Sequence, residues 1–204
     1  MLNEASGARS NTASRNKKAS SEHHLEVALS NDPRHWQAFG EHVEPIERLR
    51  RQLPVGLFEG SVAAKNAWLP RGSSQVDLWT TSTDGKTLHL FELKAARNVA
   101  VGIVPEALCY AWLLRHVACG LVDGRTLRGG GDALAAVRRA SKVVMWLSAP
   151  RYHPLVWSED DASHSPLAWI NDGLSAFGIE LRVLPLALEP GDAGVVRWVF
   201  GTRR

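Results

Sequence analysis

Three oppositely charged residues lie in two strand-like segments of an otherwise apolar stretch. Asp77 sits in Gln75-Val76-Asp77-Leu78-Trp79, and Glu92 and Lys94 sit in Leu90-Phe91-Glu92-Leu93-Lys94. Asp84-Gly85 between them is a hairpin-turn signal, and with these as the two central turn residues Asp77 faces Glu92 across the hairpin. Opposed side chains in such a ladder have Cβ atoms about 4.5–5.5 Å apart. Two carboxylates held there repel unless something positive stands between them. Glu92 and Lys94 are two positions apart and project from one face, so the lysine ammonium reaches the zone beside both acids. The chain has 18 Arg but only six Lys, so a lysine in a core-like strand needs a reason.

The reason these residues suggest is a divalent cation. Val76, Leu78, Leu90, Phe91 and Leu93 make the hairpin central rather than a solvated edge, where charges are costly unless they do a job. Carboxylate oxygens at this spacing suit Mg²⁺, or Mn²⁺ in its place, which keep several waters and bind substrate phosphate oxygens. The eight histidines show no ligand spacing, which argues against zinc. Such an ion orients a phosphodiester, neutralises charge building on its oxygens and acidifies a bound water, while Lys94 positions or deprotonates that water. The implied chemistry is phosphodiester hydrolysis.

The elements that must place these groups follow from the pattern around them. Residues 1 to about 30 are polar with no apolar period and read as a disordered arm, leaving 31–204 as one domain. A first helix opens at Asp32-Pro33 and is expected to run to about Gln52, with Trp36, Phe39, Val43, Ile46 and Leu49 on its buried face. A short strand around Val55 to Glu59, strands at 75–81 and 87–94, a helix from about Pro105 to Val117, a short helix at 132–140 and a strand at 142–147 come next. A helix from Ser165-Pro166 to Gly178 and strands over 179–188 and 195–200 complete the chain.

The acidic residue, spacer and Glu-x-Lys resemble the PD-(D/E)XK nuclease superfamily, although Val76 stands where the name puts proline. The order of helix, three strands, helix and strand over about 32–148 is similar to that superfamily's core, which implies an α/β fold of αβββαβ type with a mixed central sheet flanked by helices. The resemblance implies metal-dependent cleavage of nucleic acid, with Asp77, Glu92 and the Leu93 carbonyl as ligands and Lys94 as the catalytic lysine. The helix after the lysine resembles the family's Gln-x-x-x-Tyr helix, with Glu106 in place of glutamine and Tyr110 kept. Helical spacing stacks those two on one face, so Glu106 can reach a metal or water and Tyr110 a phosphate. The first helix often supplies a further acid in the family, a role open here to Glu44 or Glu47.

Composition sets the outer limits. A chain of 204 residues, 45% hydrophobic and 22% charged, has room for one packed domain with a tail. A formal charge of +3 is compatible with a nucleic-acid partner, DNA first, without establishing one. No apolar run is long enough to span a membrane, and Met1 to Ser21 has no apolar leader core, so a cytoplasmic protein is expected. Cys109 and Cys119 fit neither a disulfide framework nor a zinc spacing and read as small buried hydrophobes. Trp36, Trp112, Trp146 and Trp169 read as core, Trp68 as a candidate for stacking on a base, and Arg125, Arg128, Arg138 and Arg139 as candidate phosphate contacts. A non-enzymatic reading competes: a catalytically silent module with the same fold that binds nucleic acid or protein. Homo-oligomerisation and substrate strandedness stay open.

Overall fold

The hairpin that carries the acidic pair forms as its pattern dictates. In the computed structural model, which describes residues 12–58, 67–69, 74–95, 101–122, 130–157, 166–188 and 196–200, strands β4 (Gln75–Thr81) and β5 (Thr87–Leu93) pair antiparallel. Gly85 supplies the left-handed turn position at φ 73°, and the Asp84 carboxylate accepts from Ser82 Oγ and the Lys86 amide at 2.7 and 2.9 Å. The register pairs Leu78 with Phe91, Trp79 with Leu90, Thr80 with His89 and Thr81 with Leu88, the alignment expected from the sequence.

Around this hairpin the sheet grows in both directions. Its strand order is β1-β4-β5-β6-β7, where β1 is Arg50–Pro54, β6 Lys142–Ser148 and β7 Ile179–Val183. β1 and β4 pair antiparallel, whereas β5, β6 and β7 run parallel. Such parallel strands are buried on both faces, and all seven residues of β5 are buried. Small hairpins β2 (Leu57–Phe58) with β3 (Ala67–Leu69), and β8 (Leu186–Leu188) with β9 (Val196–Trp198), lie outside the main sheet.

Helices cover both faces. On one, α3 (Ile103–Ala118) and α4 (Gly130–Arg139) place Ala107, Ala111, Leu114 and Val137 against Leu88, Leu90, Met145 and Leu181. On the other, α1 (Thr12–Asn31), α2 (Pro33–His42) and β9 place Leu25, Leu29, Phe39 and Trp198 against Leu78, Phe91, Leu93 and Trp146. α5 (Pro166–Ser175) packs on β7. The fold is therefore mixed α/β, with a five-stranded mixed central sheet flanked by helices, consistent with the restriction-endonuclease-like αβββαβ core expected above.

Several expectations need correction. The stretch expected to be a disordered arm to residue 30 is helical from Thr12, and Leu25 and Leu29, one turn apart, anchor it on the sheet. The first core helix ends at His42 instead of Gln52, because Pro45 has no amide proton to give and disfavours helical geometry at Glu44. Ile46 instead bridges to Ser82, and Arg50–Pro54 becomes the edge strand. Trp146 is core as expected, but Trp112 and Trp169 fall off the buried stripes of α3 and α5 and are 42% and 68% exposed. Cys109 and Cys119 lie on the outer side of α3 and its cap and are exposed too. The side chain of Trp68, together with residues 71, 125 and 128, lies outside the described residues.

Phe39 holds the second face together. Its ring meets Phe91, Trp146 and Trp198 edge-on, with centroids 5.2–5.6 Å apart, and it is fully buried. Phe39→Ala should therefore cost about 3–5 kcal/mol, read as a lower urea midpoint at unchanged slope.

On the same face His89 is fully buried and accepts a hydrogen bond from Trp146 Nε1 on Nδ1 at 3.1 Å. Nε2 therefore carries the ring proton; it lies 3.1 Å from Glu44 Oε1 but without hydrogen-bond geometry. Burial first, then the charges of Arg182 and Lys142, push its pKa down from 6.5 to about 3. A group with a depressed folded-state pKa that is charged when protonated contributes stability in full above 6.5, and loses it as pH falls from there to about 3. His89→Gln, which keeps an acceptor for Trp146, should flatten the loss of unfolding free energy between pH 6.5 and 4, measured by urea titration at each pH.

Candidate active site

The antiparallel ladder between β4 and β5 ends at Leu78–Phe91, one pair short of Asp77 and Glu92. Asp77 closes the opening with its side chain: Oδ2 accepts a 2.7 Å hydrogen bond from the Leu93 amide. β5 meanwhile continues beside β6, and the Lys94 amide donates to Ser148 O at 2.9 Å. The two acids thus stand where the strands part, with β5 held firmly on one side only.

The five side chains singled out from sequence come together here. Lys94 Nζ donates to Glu92 Oε1 at 2.5 Å and lies 3.8 Å from Glu106 Oε2. Tyr110, itself packed in the core, donates its hydroxyl to Glu106 Oε1 at 3.3 Å. Glu106 is in the first turn of α3 and Tyr110 one turn later, so helix geometry alone stacks them. Leu93 places its side chain in the core of the opposite face and its amide on Asp77. Glu44 and Glu47 are elsewhere: Glu44 beside His89, and Glu47 beside Thr80 and Thr81 at the turn end of β4.

Sequence reasoning missed two acids. α1 brings Glu22 and Glu26 near Asp77, and the charges of both are felt by its carboxyl. Glu26 is buried and engaged, Oε2 accepting from Arg51 and from Gln52 Nε2 at 3.2 Å each. Glu22 Oε1 is buried with no hydrogen-bond partner. The signal that could have found them is the spacing Glu22, Leu25, Glu26, Leu29, a short stripe of acids beside two anchoring leucines.

Burial dominates the electrostatics. It raises the pKa of Asp77, against the Leu93 hydrogen bond and Lys94, and Glu26 and Glu22 raise it further. It also raises that of Glu92, where Asp77 and Glu106 add to the effect and Lys94 opposes it. For Lys94, burial alone favours the neutral amine, but Glu92, Asp77 and Glu106 together outweigh it and hold the pKa above the ordinary lysine value. Lys94 is therefore an ammonium at neutral pH. Tyr110 is held as the neutral phenol by burial and by Glu106 and Glu92.

Among the described residues, five carboxylates (Glu22, Glu26, Asp77, Glu92, Glu106) thus lie with two cations, Lys94 and Arg51. Among the described residues no three His, Cys, Asp or Glu side chains form a ready-made metal cage. The donors do fit a hydrated divalent ion, which needs only one or two carboxylates. Glu92 Oε2 is buried and unpartnered, Glu22 Oε1 likewise, and a cation would relieve the repulsion from Asp77 that adds to burial in keeping the Glu92 pKa up.

No family model and no curated protein matches the chain. Among solved structures it is similar to Pyrococcus furiosus SfsA in complex with Ca²⁺, at 13% identity and a TM-score of 0.27, over 62% of this chain and 48% of that one. The chain thus spans about half the length of SfsA. Among the described residues no helix is long and apolar enough to cross a membrane.

Proposed function

We propose that the chain is a divalent-cation-dependent nuclease of PD-(D/E)XK type, hydrolysing phosphodiester bonds of nucleic acid, with DNA the first substrate to test. One observation carries the reading: a buried carboxylate with an unpartnered oxygen, Glu92, is tied to a half-buried ammonium, Lys94, beside a second, half-buried acid, Asp77, at the point where two strands part. A structural ion pair has no use for the second acid, which raises the cost of ionising the first.

Asp77 and Glu92 would hold Mg²⁺ or Mn²⁺, with the Leu93 carbonyl as a further ligand. When bound, the ion supplies Lewis-acid stabilisation of the phosphate and an acidified water. The protein's own contributions are positional. The Leu93 amide fixes the Asp77 carboxylate, and β6 fixes β5. Lys94, charged and gripped by Glu92 and Glu106, is suited to orient a water or steady a phosphate oxygen rather than to take a proton in its resting state. Tyr110 holds Glu106 in place. The acid excess would repel a polyanion, so the site needs a cation before nucleic acid can approach.

The test is incubation of purified protein with labelled single- and double-stranded DNA and RNA in Mg²⁺, Mn²⁺ or chelator. Cleavage of at least one polymer that depends on the ion and disappears in Asp77→Asn supports the reading. No cleavage of any, or equal cleavage by wild type and variant, sinks it and leaves a silent binding module.

A further inference from the structure

Gln52 is the one non-glycine residue with positive φ among the described residues, at 54°. This left-handed conformation is unfavourable for a residue with a β-carbon and persists only where its surroundings enforce it. Its place explains the enforcement. In the β1–β4 ladder Arg51 pairs with Leu78 and Leu53 with Val76, so Gln52 lies opposite Asp77 and interrupts the pairing there. The kink sends its side chain to α1, where Nε2 donates to Glu26 Oε2 at 3.2 Å. The neighbouring Arg51 joins from the same strand, with Nη2 3.2 Å from that oxygen and 3.0 Å from His23 Nδ1. Two consecutive residues of β1 thus grip two residues of α1, with Glu22 one turn before Glu26.

We infer that Gln52 is a positioning residue: its left-handed backbone turns it out of the ladder so that, with Arg51, it clamps Glu26 and sets α1 in the register that points Glu22 at Asp77. The inference rests on the nuclease reading for its effect on rate, but not for its effect on α1. Glu26 in this account is a handle, its charge balanced by Arg51, and Glu22 is the free acid.

The test compares Gln52→Gly and Gln52→Asn with wild type. Glycine adopts the left-handed conformation freely but has no side chain to donate, and asparagine tolerates the conformation and keeps a shorter amide. A merely structural role predicts that Gln52→Gly, relieved of strain, is as active as wild type. The positioning role predicts an unchanged or higher Tm together with faster amide exchange over residues 22–31. It also predicts a kcat lower by about 10- to 100-fold at little-changed KM, with Gln52→Asn in between. Wild-type exchange in both variants overturns the inference. If wild type itself cleaves nothing, the nuclease reading fails, and the exchange measurement still decides the clamp.

Discussion

Lys94→Ala should lower the single-turnover rate of phosphodiester cleavage by about 10²–10⁴-fold, the range for a group that orients or protonates reacting atoms. Among the described residues the ammonium is the only cation paired with Glu92, and its side chain is 14% exposed, so the carboxylate has little other compensation. Its loss also leaves the Glu92 carboxyl buried beside Asp77 without a counter-charge, which raises its pKa further and weakens ion binding at neutral pH. Lys94→Arg keeps the charge but spreads it over a planar fork that does not match a contact with one carboxylate oxygen, and should recover only part of the rate. The check is a rate measured at saturating Mn²⁺, with Tm recorded beside it. Cleavage within twofold of wild type in Lys94→Ala would remove the lysine from the mechanism.

The second large effect is on stability. Asp77 and Glu92 both have pKa values raised by folding, so ionising them opposes folding. Their contribution is present in full below the ordinary carboxylate range near 4 and is lost as pH rises through the raised folded values. Ion-free protein should therefore lose stability from this pair between mildly acidic and neutral pH, in the direction opposite to His89. A divalent ion binds the ionised pair and returns that stability. At 100 times its dissociation constant it contributes about 2.7 kcal/mol, which for a domain of this size is a Tm rise of about 5–10 °C. The rise should be present at pH 8 and absent at pH 5. The double variant Asp77→Asn, Glu92→Gln should melt higher than ion-free wild type at pH 8 and show no response to Mn²⁺. An equal Mn²⁺ response in the variant places the ion elsewhere.

What the sequence made legible was the hairpin. Asp84-Gly85 fixed the turn, period-two alternation fixed the faces, and together they put Asp77, Glu92 and Lys94 at one end of one surface; helical spacing then added Glu106 and Tyr110. What it hid has physical causes. α1 is polar through most of its length, with Leu25 and Leu29 the buried apolar side chains among its described residues, so no apolar period announces it and Glu22 and Glu26 went unseen. Val43, Ile46 and Leu49 keep a helical spacing through the point where Pro45 ends the helix, because the helix cap, an isolated bridge and the approach to an edge strand pack Val43 and Ile46 partly and Leu49 fully against the same core. The parting of β4 and β5 at Asp77 depends on a side chain replacing a ladder hydrogen bond, which no local pattern encodes. The same holds for the left-handed Gln52 opposite it.

The most direct measurement is a crystal structure grown with Mn²⁺ and recorded for its anomalous signal. The account predicts a peak within about 2.2 Å of carboxylate oxygens of both Asp77 and Glu92, the latter through the oxygen that Lys94 leaves free. Well-ordered Asp77 and Glu92 with no manganese between them, at a concentration that supports cleavage, would contradict it.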